Sequence, residues 1–280
     1  MKSVAGIAAL LCAHISGAAA AGVLAPRADM INGGVSIADT DIKLVAATFR
    51  VPSIRAPPKT PPGTPAGNTD SALAVWVGID GLQLACAGAV WLKGGISLSW
   101  KDGKLEERPR PWITFMSPQG MTADNGLNPP AGDLNLDVGD LIRITVTSKA
   151  ADTGAVFFEN FKAGANYKVG DKPLHTAFYD FKQGMNGGRL LCRTEGNVMI
   201  EQSPLNGWIG PDKPRPLAGF DPIVFTDITV DTDSGNHQRL DTAHPRDINI
   251  GSQGGLIATC QINPGAGGDV LKANLTCARQ

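Results

Sequence analysis

No long stretch of this 280-residue sequence carries apolar residues at the spacing of an amphipathic helix. A helical bundle is therefore excluded. Charged residues are sparse at 18%, while Gly (34) and Pro (20) are plentiful, which points to short strands joined by turns. Neither sign of charge is in excess. Leaving out Lys2, which falls in a leader described below, 24 basic residues (25 less one) face 26 acidic ones. Nucleic-acid binding thus has no electrostatic support. Metal-ligand spacing is missing too: His175, His237 and His244 are scattered, and the cysteines are not spaced as zinc ligands. No metal and no cofactor is expected. Beyond the first residues no apolar run is long enough to span a bilayer, and no internal repeat is visible.

The N-terminus reads as a secretory signal peptide over residues 1–21. Met1-Lys2-Ser3 is basic, Val4 to Ala13 is apolar, and Gly17 to Ala21 supplies small residues for cleavage. The apolar part is too short to anchor the chain. A secreted protein is expected, with residues 22–280 forming one all-β domain. Cys12 leaves with the leader. Cys86, Cys192, Cys260 and Cys277 remain, an even number that implies two disulfides with three connectivities open. Asn274-Leu275-Thr276 is an N-glycosylation acceptor, suited to an exposed C-terminal turn. Pro57 to Pro65 holds five prolines and reads as a stiff surface insertion. Too few residues precede it for it to link two domains.

Several stretches read as strands. Leu44 to Val51 ends at Pro52, and Leu73 to Ile79 and Ala87 to Leu92 are continuous apolar runs that suit strands covered on both faces. Leu141 to Thr147 alternates, with Ile142, Ile144 and Val146 on one face and Arg143, Thr145 and Thr147 on the other. Gly139-Asp140 is the turn before it. Ala155 to Asn160 and Ile223 to Val230 are further strands. Strands this frequent argue for a two-sheet sandwich. Glu201 closes the apolar run Val198-Met199-Ile200. A half-buried carboxylate there resists ionisation and is the best candidate for general acid/base work. A strand-end glutamate in water is the commoner occurrence.

A set of short motifs tips that balance. In order they are Gly33-Gly34, Thr48-Phe49-Arg50-Val51-Pro52-Ser53, Val75-Trp76-Val77-Gly78-Ile79-Asp80-Gly81 and Gly139-Asp140-Leu141-Ile142. Glu159-Asn160, Leu191-Cys192-Arg193-Thr194 with Ile200-Glu201, and Phe220-Asp221-Pro222 with Phe225-Thr226-Asp227 complete it. Through these the chain, over about residues 30 to 277, resembles the fungal glutamic peptidases, or eqolisins. The resemblance implies a double β-sandwich of two curved, seven-stranded antiparallel sheets, a concanavalin A-like jelly roll, with a substrate groove across one concave face. It also implies a glutamate–glutamine dyad. The glutamate activates a water, and the glutamine amide holds that water and the developing oxyanion. Glu201 falls on the glutamate and Asp80 on a site carboxylate.

The glutamine position departs from the pattern. Counted without a gap from Cys86, it is Leu92, which has neither donor nor acceptor. Lys93 and Gln83 are the nearby polar alternatives, though successive strand residues point to opposite faces. Asn32 stands where the family has a tryptophan. Trp112 is kept, while Thr114 and Met116 replace two polar groups. Asn32, Asp80, Leu92, Trp112, Thr114 and Met116 are thus the expected substrate-binding residues, in a groove re-lined for a more hydrophobic ligand. The expected disulfides are Cys86–Cys192, tying the two sides of the groove, and Cys260–Cys277, closing a C-terminal hairpin. Little separates Ala21 from Gly33, so a long propeptide is not expected. The near-balance of charge argues against strong acid adaptation.

Three functions follow: a weak acid-acting endopeptidase, a non-proteolytic enzyme of lyase, isomerase or cyclase type, or a binding protein without chemistry. The partner is a polypeptide or a hydrophobic small molecule. The sequence sets no oligomeric state.

Overall fold

The alternation in Leu141–Thr147 becomes structure directly. Ile142, Ile144 and Val146 are fully buried, and Arg143, Thr145 and Thr147 are half-exposed. Each strand turns alternate side chains to opposite faces, and the chain uses that period to build two sheets around one apolar layer. The computed structural model describes residues 32–57, 70–81, 90–105, 108–116, 134–164, 168, 170–182, 190–202, 216–235, 237–238, 240, 244–250, 255–264 and 273–279. The expected leader 1–21, most of the proline-rich stretch, Gln83 and Cys86 lie outside them.

One sheet has seven strands. Its order is β15 (His244–Arg246), β1 (Asn32–Ala38), β11 (Glu195–Glu201), β4 (Ser71–Ile79), β5 (Trp91–Lys101) and β6 (Lys104–Leu105), with β7 (Arg110–Met116) also paired to β5. The second has nine. Its order is β10 (His175–Phe181), β9 (Thr153–Ala163), β8 (Asp140–Ala150), β2 (Ile42–Arg50), β13 (Ile223–Thr232), β18 (Asn274–Arg279), β17 (Gly255–Asn263) and β16 (Ile248–Ile250). A short β14 (His237–Gln238) adds to β13, and β3 (Ile54–Arg55) pairs with β12 (Gly219–Phe220) as a separate ribbon. The pairings between named strands are antiparallel. The sandwich is as expected; the second sheet is wider than the seven strands the resemblance implies.

The core lies between the sheets. Val75, Val77, Ile79, Leu92, Ile96, Val198 and Ile200 from the first meet Val45, Phe49, Ile144, Val156, Phe158 and Phe225 from the second. Phe49 and Phe225 pack with ring centroids 5.2 Å apart. The motifs behind the resemblance meet as structural joints. Asp140 accepts hydrogen bonds from the Asp137 N–H and from Asn160 Nδ2, both at 2.9 Å. Asp221 accepts from the Ser53 hydroxyl and, at 2.7 Å, from Arg55. Cys260 and Cys277 are disulfide-bonded across the β17–β18 pair, as expected. Cys192 is in a disulfide as well; its expected partner, Cys86, is outside the described residues. Asn274 begins a strand rather than sitting in an exposed turn, and its side-chain oxygen accepts a 3.0 Å hydrogen bond from Asn263.

Candidate functional site

The register of the seven-stranded sheet fixes which side chains share the face turned away from the core. Residues directly opposite across a ladder point the same way. One row runs Asn32, Glu201, Ala74, Ser97, Arg110. The next runs Gly34, Met199, Trp76, Gly95, Trp112 and the third Ser36, Asn197, Gly78, Lys93, Thr114. Ala74, Trp76, Trp112 and Met199 pack as an apolar cluster separate from the main core. Glu201, Lys93 and Thr114 are buried beside it, at 5%, 3% and 6% exposure.

This arrangement corrects two expectations. Leu92 does not line the site. It is fully buried in the inter-sheet core, against the backbone of Gly154 in β9, because it shares its phase with Ile96 and Leu98. Lys93, one residue on, turns to the site face. A one-residue shift along a strand exchanges its two faces, so the gap-free count from Cys86 landed on the wrong one. The Asp80 carboxylate, for its part, is turned to the backbone at the start of β11. Its carboxylate accepts hydrogen bonds from the backbone N–H groups of Arg193 (2.7 Å), Thr194 (2.8 Å) and Glu195 (3.2 Å). Asp80 has a left-handed backbone, φ 60°, and clamps the start of β11 to the end of β4.

The other expected residues fall near the site. Asn32 is the register partner of Glu201, and Thr114 is that of Lys93. Trp112 belongs to the apolar cluster. Met116 closes β7 opposite Trp91.

The orientation of Lys93 could have been read from the sequence. In Trp91-Leu92-Lys93-Gly94-Gly95-Ile96-Ser97-Leu98, the large aliphatics fall in one phase and Lys93 and Ser97 in the other. Trp76, Met199 and Glu195, in phase with Glu201 or its neighbours, were also missed.

Lys93 lies across Gly78, where an added Cβ would sit 2.9 Å from the lysine Cγ. Only glycine leaves room for that stem. The Lys93 ammonium then sits over two indoles, 3.9 Å from the Trp76 ring centroid and 4.7 Å from that of Trp91. These cation–π contacts favour the charged lysine. Burial opposes it and dominates, lowering the Lys93 pKa, while the charges of Glu201 and then Glu195 pull it back. Burial likewise raises the Glu201 pKa, and the Lys93 charge offsets part of the rise. The Trp76 indole N–H also favours the ionised carboxylate, without closing a hydrogen bond of good geometry.

Carboxylate and ammonium therefore sense each other across the face. Among the described residues no ion pair closes between them. Both groups remain available to a third: Glu201 to take a proton, Lys93 to receive negative charge. No cluster of metal-ligating side chains occurs among the described residues.

A family model described as the peptidase A4 family matches residues 31–270. No curated protein sequence matches the chain. Several solved structures do. Scytalido-glutamic peptidase with a transition state analogue inhibitor is 22% identical, with 90% of this chain and 99% of that chain covered, at a TM-score of 0.63. SCP-B, described as a member of the Eqolisin family of peptidases in complex with the tripeptide Ala-Ile-His, is 22% identical with the same coverage and a TM-score of 0.60. Aspergilloglutamic peptidase from Aspergillus niger is 18% identical over 75% of this chain and 99% of that chain, at 0.52. These likenesses carry the fold.

Proposed function

Because the chain belongs to the peptidase A4 family, we propose that it hydrolyses peptide bonds with a glutamate–lysine pair, Glu201 as general base and Lys93 as oxyanion donor. The observation that carries this reading is the placement of both groups on one buried face, coupled but not paired. In the proposed reaction Glu201 takes a proton from a water as its oxygen bonds to the scissile carbonyl carbon. Negative charge moves to the carbonyl oxygen, where the Lys93 ammonium stabilises it. Glu201 then gives its proton to the leaving nitrogen as the C–N bond breaks. An ammonium replaces the neutral amide of a glutamate–glutamine dyad. It is a stronger donor, but one that titrates.

That difference sets the pH dependence. Turnover needs Glu201 ionised and Lys93 protonated. The raised Glu201 pKa moves the acid limb up, and the lowered Lys93 pKa brings the alkaline limb down. The optimum is therefore less acidic than an ordinary carboxylate would allow, in keeping with the balanced charge of the chain. Export to an oxidising compartment is part of the proposal and fits the Cys260–Cys277 disulfide. A second reading, an enzyme acting on a hydrophobic small molecule, draws on the Trp76, Trp112 and Met199 cluster beside the pair.

Cleavage of an unfolded protein substrate across pH tests the peptidase reading. Glu201→Gln and Lys93→Met each abolish or cripple turnover, while Lys93→Gln keeps the acid limb and loses the alkaline one, since an amide does not titrate. Wild-type protein that cleaves nothing at any pH, or Lys93→Met cleaving at the wild-type rate, refutes it.

A further inference from the structure

Two buried groups of opposite charge pose a problem that the hydrolytic reading leaves open. In a dry setting a carboxylate and an ammonium can cancel by passing the proton from nitrogen to oxygen. Glu201 would then be a neutral acid and Lys93 a neutral amine, and both base and donor would be lost. Something must hold the proton on the lysine.

Strand β11 carries a second carboxylate on the same face. Glu195 and Glu201 are six residues apart, so an even number of alternations returns the side chain to the same side. Glu195 is 1% exposed. Its backbone is locked at both ends of the peptide unit: its N–H donates to Asp80 Oδ1 at 3.2 Å, and its carbonyl accepts the Asp80 N–H at 2.8 Å. The two residues are roughly 20 Å apart along the strand by the usual rise per residue. By register Glu195 lies one row beyond the Asn197–Gly78–Lys93 row, nearer to Lys93 than the row of Glu201 is, and its charge favours the Lys93 ammonium. Its separation from Glu201 along the strand lets it favour the ammonium with little penalty to the ionised base.

Among the described residues, the other charged groups around Lys93 do not supply this bias. Asp80, from β4, spends its carboxylate on the three N–H groups at 193–195. Arg110, from β7, lies in the row of Glu201, two rows from Lys93, and is exposed. His244, from β15, is placed by register at the far edge of the sheet, opposite Ser36. On its own strand, Lys101 is eight residues away.

We propose that Glu195 is the fixed counter-ion of Lys93, a positioning residue that keeps the ammonium charged while Glu201 takes up and releases the proton. The inference rests on the hydrolytic reading for its purpose but not for its measurement. The test is the titration of Lys93 followed by NMR in protein carrying carbon-13-labelled lysine, the signal assigned by its loss in Lys93→Gln. Glu195→Gln is expected to move the Lys93 titration down by about one pH unit, the scale of a single neighbouring charge. Glu195→Asp restores most of it. Glu201→Gln leaves Lys93 charged at neutral pH, because Glu195 suffices. A Lys93 titration unmoved in a folded Glu195→Gln variant overturns the proposal. Should that variant fail to fold, a neutral Lys93 at pH 7 in Glu201→Gln overturns it as well. If wild-type protein shows no cleavage, the peptidase reading falls while these titrations still decide the role of Glu195.

Discussion

Leu92 and Lys93 are neighbours in the chain and opposites in consequence, and exchanging each for a polar or apolar residue separates the two faces of β5. Leu92→Gln puts an amide into the inter-sheet core. The lost apolar transfer is about 1.5–3 kcal/mol, and an amide without a partner adds about 1–3 kcal/mol. The unfolding free energy should fall by about 3–6 kcal/mol, and the melting temperature by on the order of 10 °C for a chain of this size. No gain in cleavage is expected. Lys93→Met acts the other way. It removes a desolvated charge and leaves Glu201 free to protonate, so stability holds, while loss of the oxyanion donor costs about 10²–10³ in rate. Urea or thermal unfolding and cleavage of a denatured protein substrate, run on both variants, read the two effects. If Leu92→Gln were as stable as wild type and cut faster, the register of β5 would be one residue wrong and the reasoning with it.

Three further outcomes follow from the geometry. The folded protein holds the Glu201 proton at pH values where the unfolded chain has released it, so this group's contribution to stability declines as pH rises from the ordinary glutamate range through the raised pKa. Lys93 works oppositely, its contribution rising as pH climbs from the lowered pKa to the ordinary lysine value; the double variant Glu201→Gln/Lys93→Met should thus gain about 1–4 kcal/mol, most between those two windows, and a difference that is flat across pH in denaturant melts would contradict this. Asp80→Ala removes the acceptor of three backbone N–H groups and puts alanine at a φ of 60°, and should cost at least about 3 kcal/mol, whereas a loss of activity at unchanged stability would point back to a substrate role. Replacing Cys260 and Cys277 with serine opens a link spanning 17 residues and should cost about 3 kcal/mol by chain entropy, read from the shift in unfolding midpoint.

Much of the architecture was legible because alternation and turn residues act locally. Ile142, Ile144 and Val146 face the core as their spacing requires, and the Glu201 run became a central strand. The site was half legible. Glu201 was expected and lies buried on the outer face, while Lys93, proposed as its partner, was set aside by a count that ignored the phase of Leu92, Ile96 and Leu98. The structural place of Asp80 was hidden for a different reason. A carboxylate in a motif looks alike whether it meets a substrate or three backbone amides, and only the fold brings residue 80 to residues 193–195. The proposed link between Glu195 and Lys93 was invisible for the same reason, since those residues lie on strands separated by β4.

The strictness of the two-residue period has an evolutionary corollary. On β4, β5 and β11 one phase of the alternation answers to the demand that the sheets adhere, and the other to whatever the outer face is used for. Val75, Val77, Ile96 and Ile200 can stay aliphatic while Lys93, with Thr114 on β7 and Asn32 on β1 beside it, is exchanged, because the two sets point to opposite faces of the sheet. Such a strand is two independently editable texts printed on opposite sides of one ribbon. New catalytic pairs can be tried on one side without re-solving the folding problem on the other.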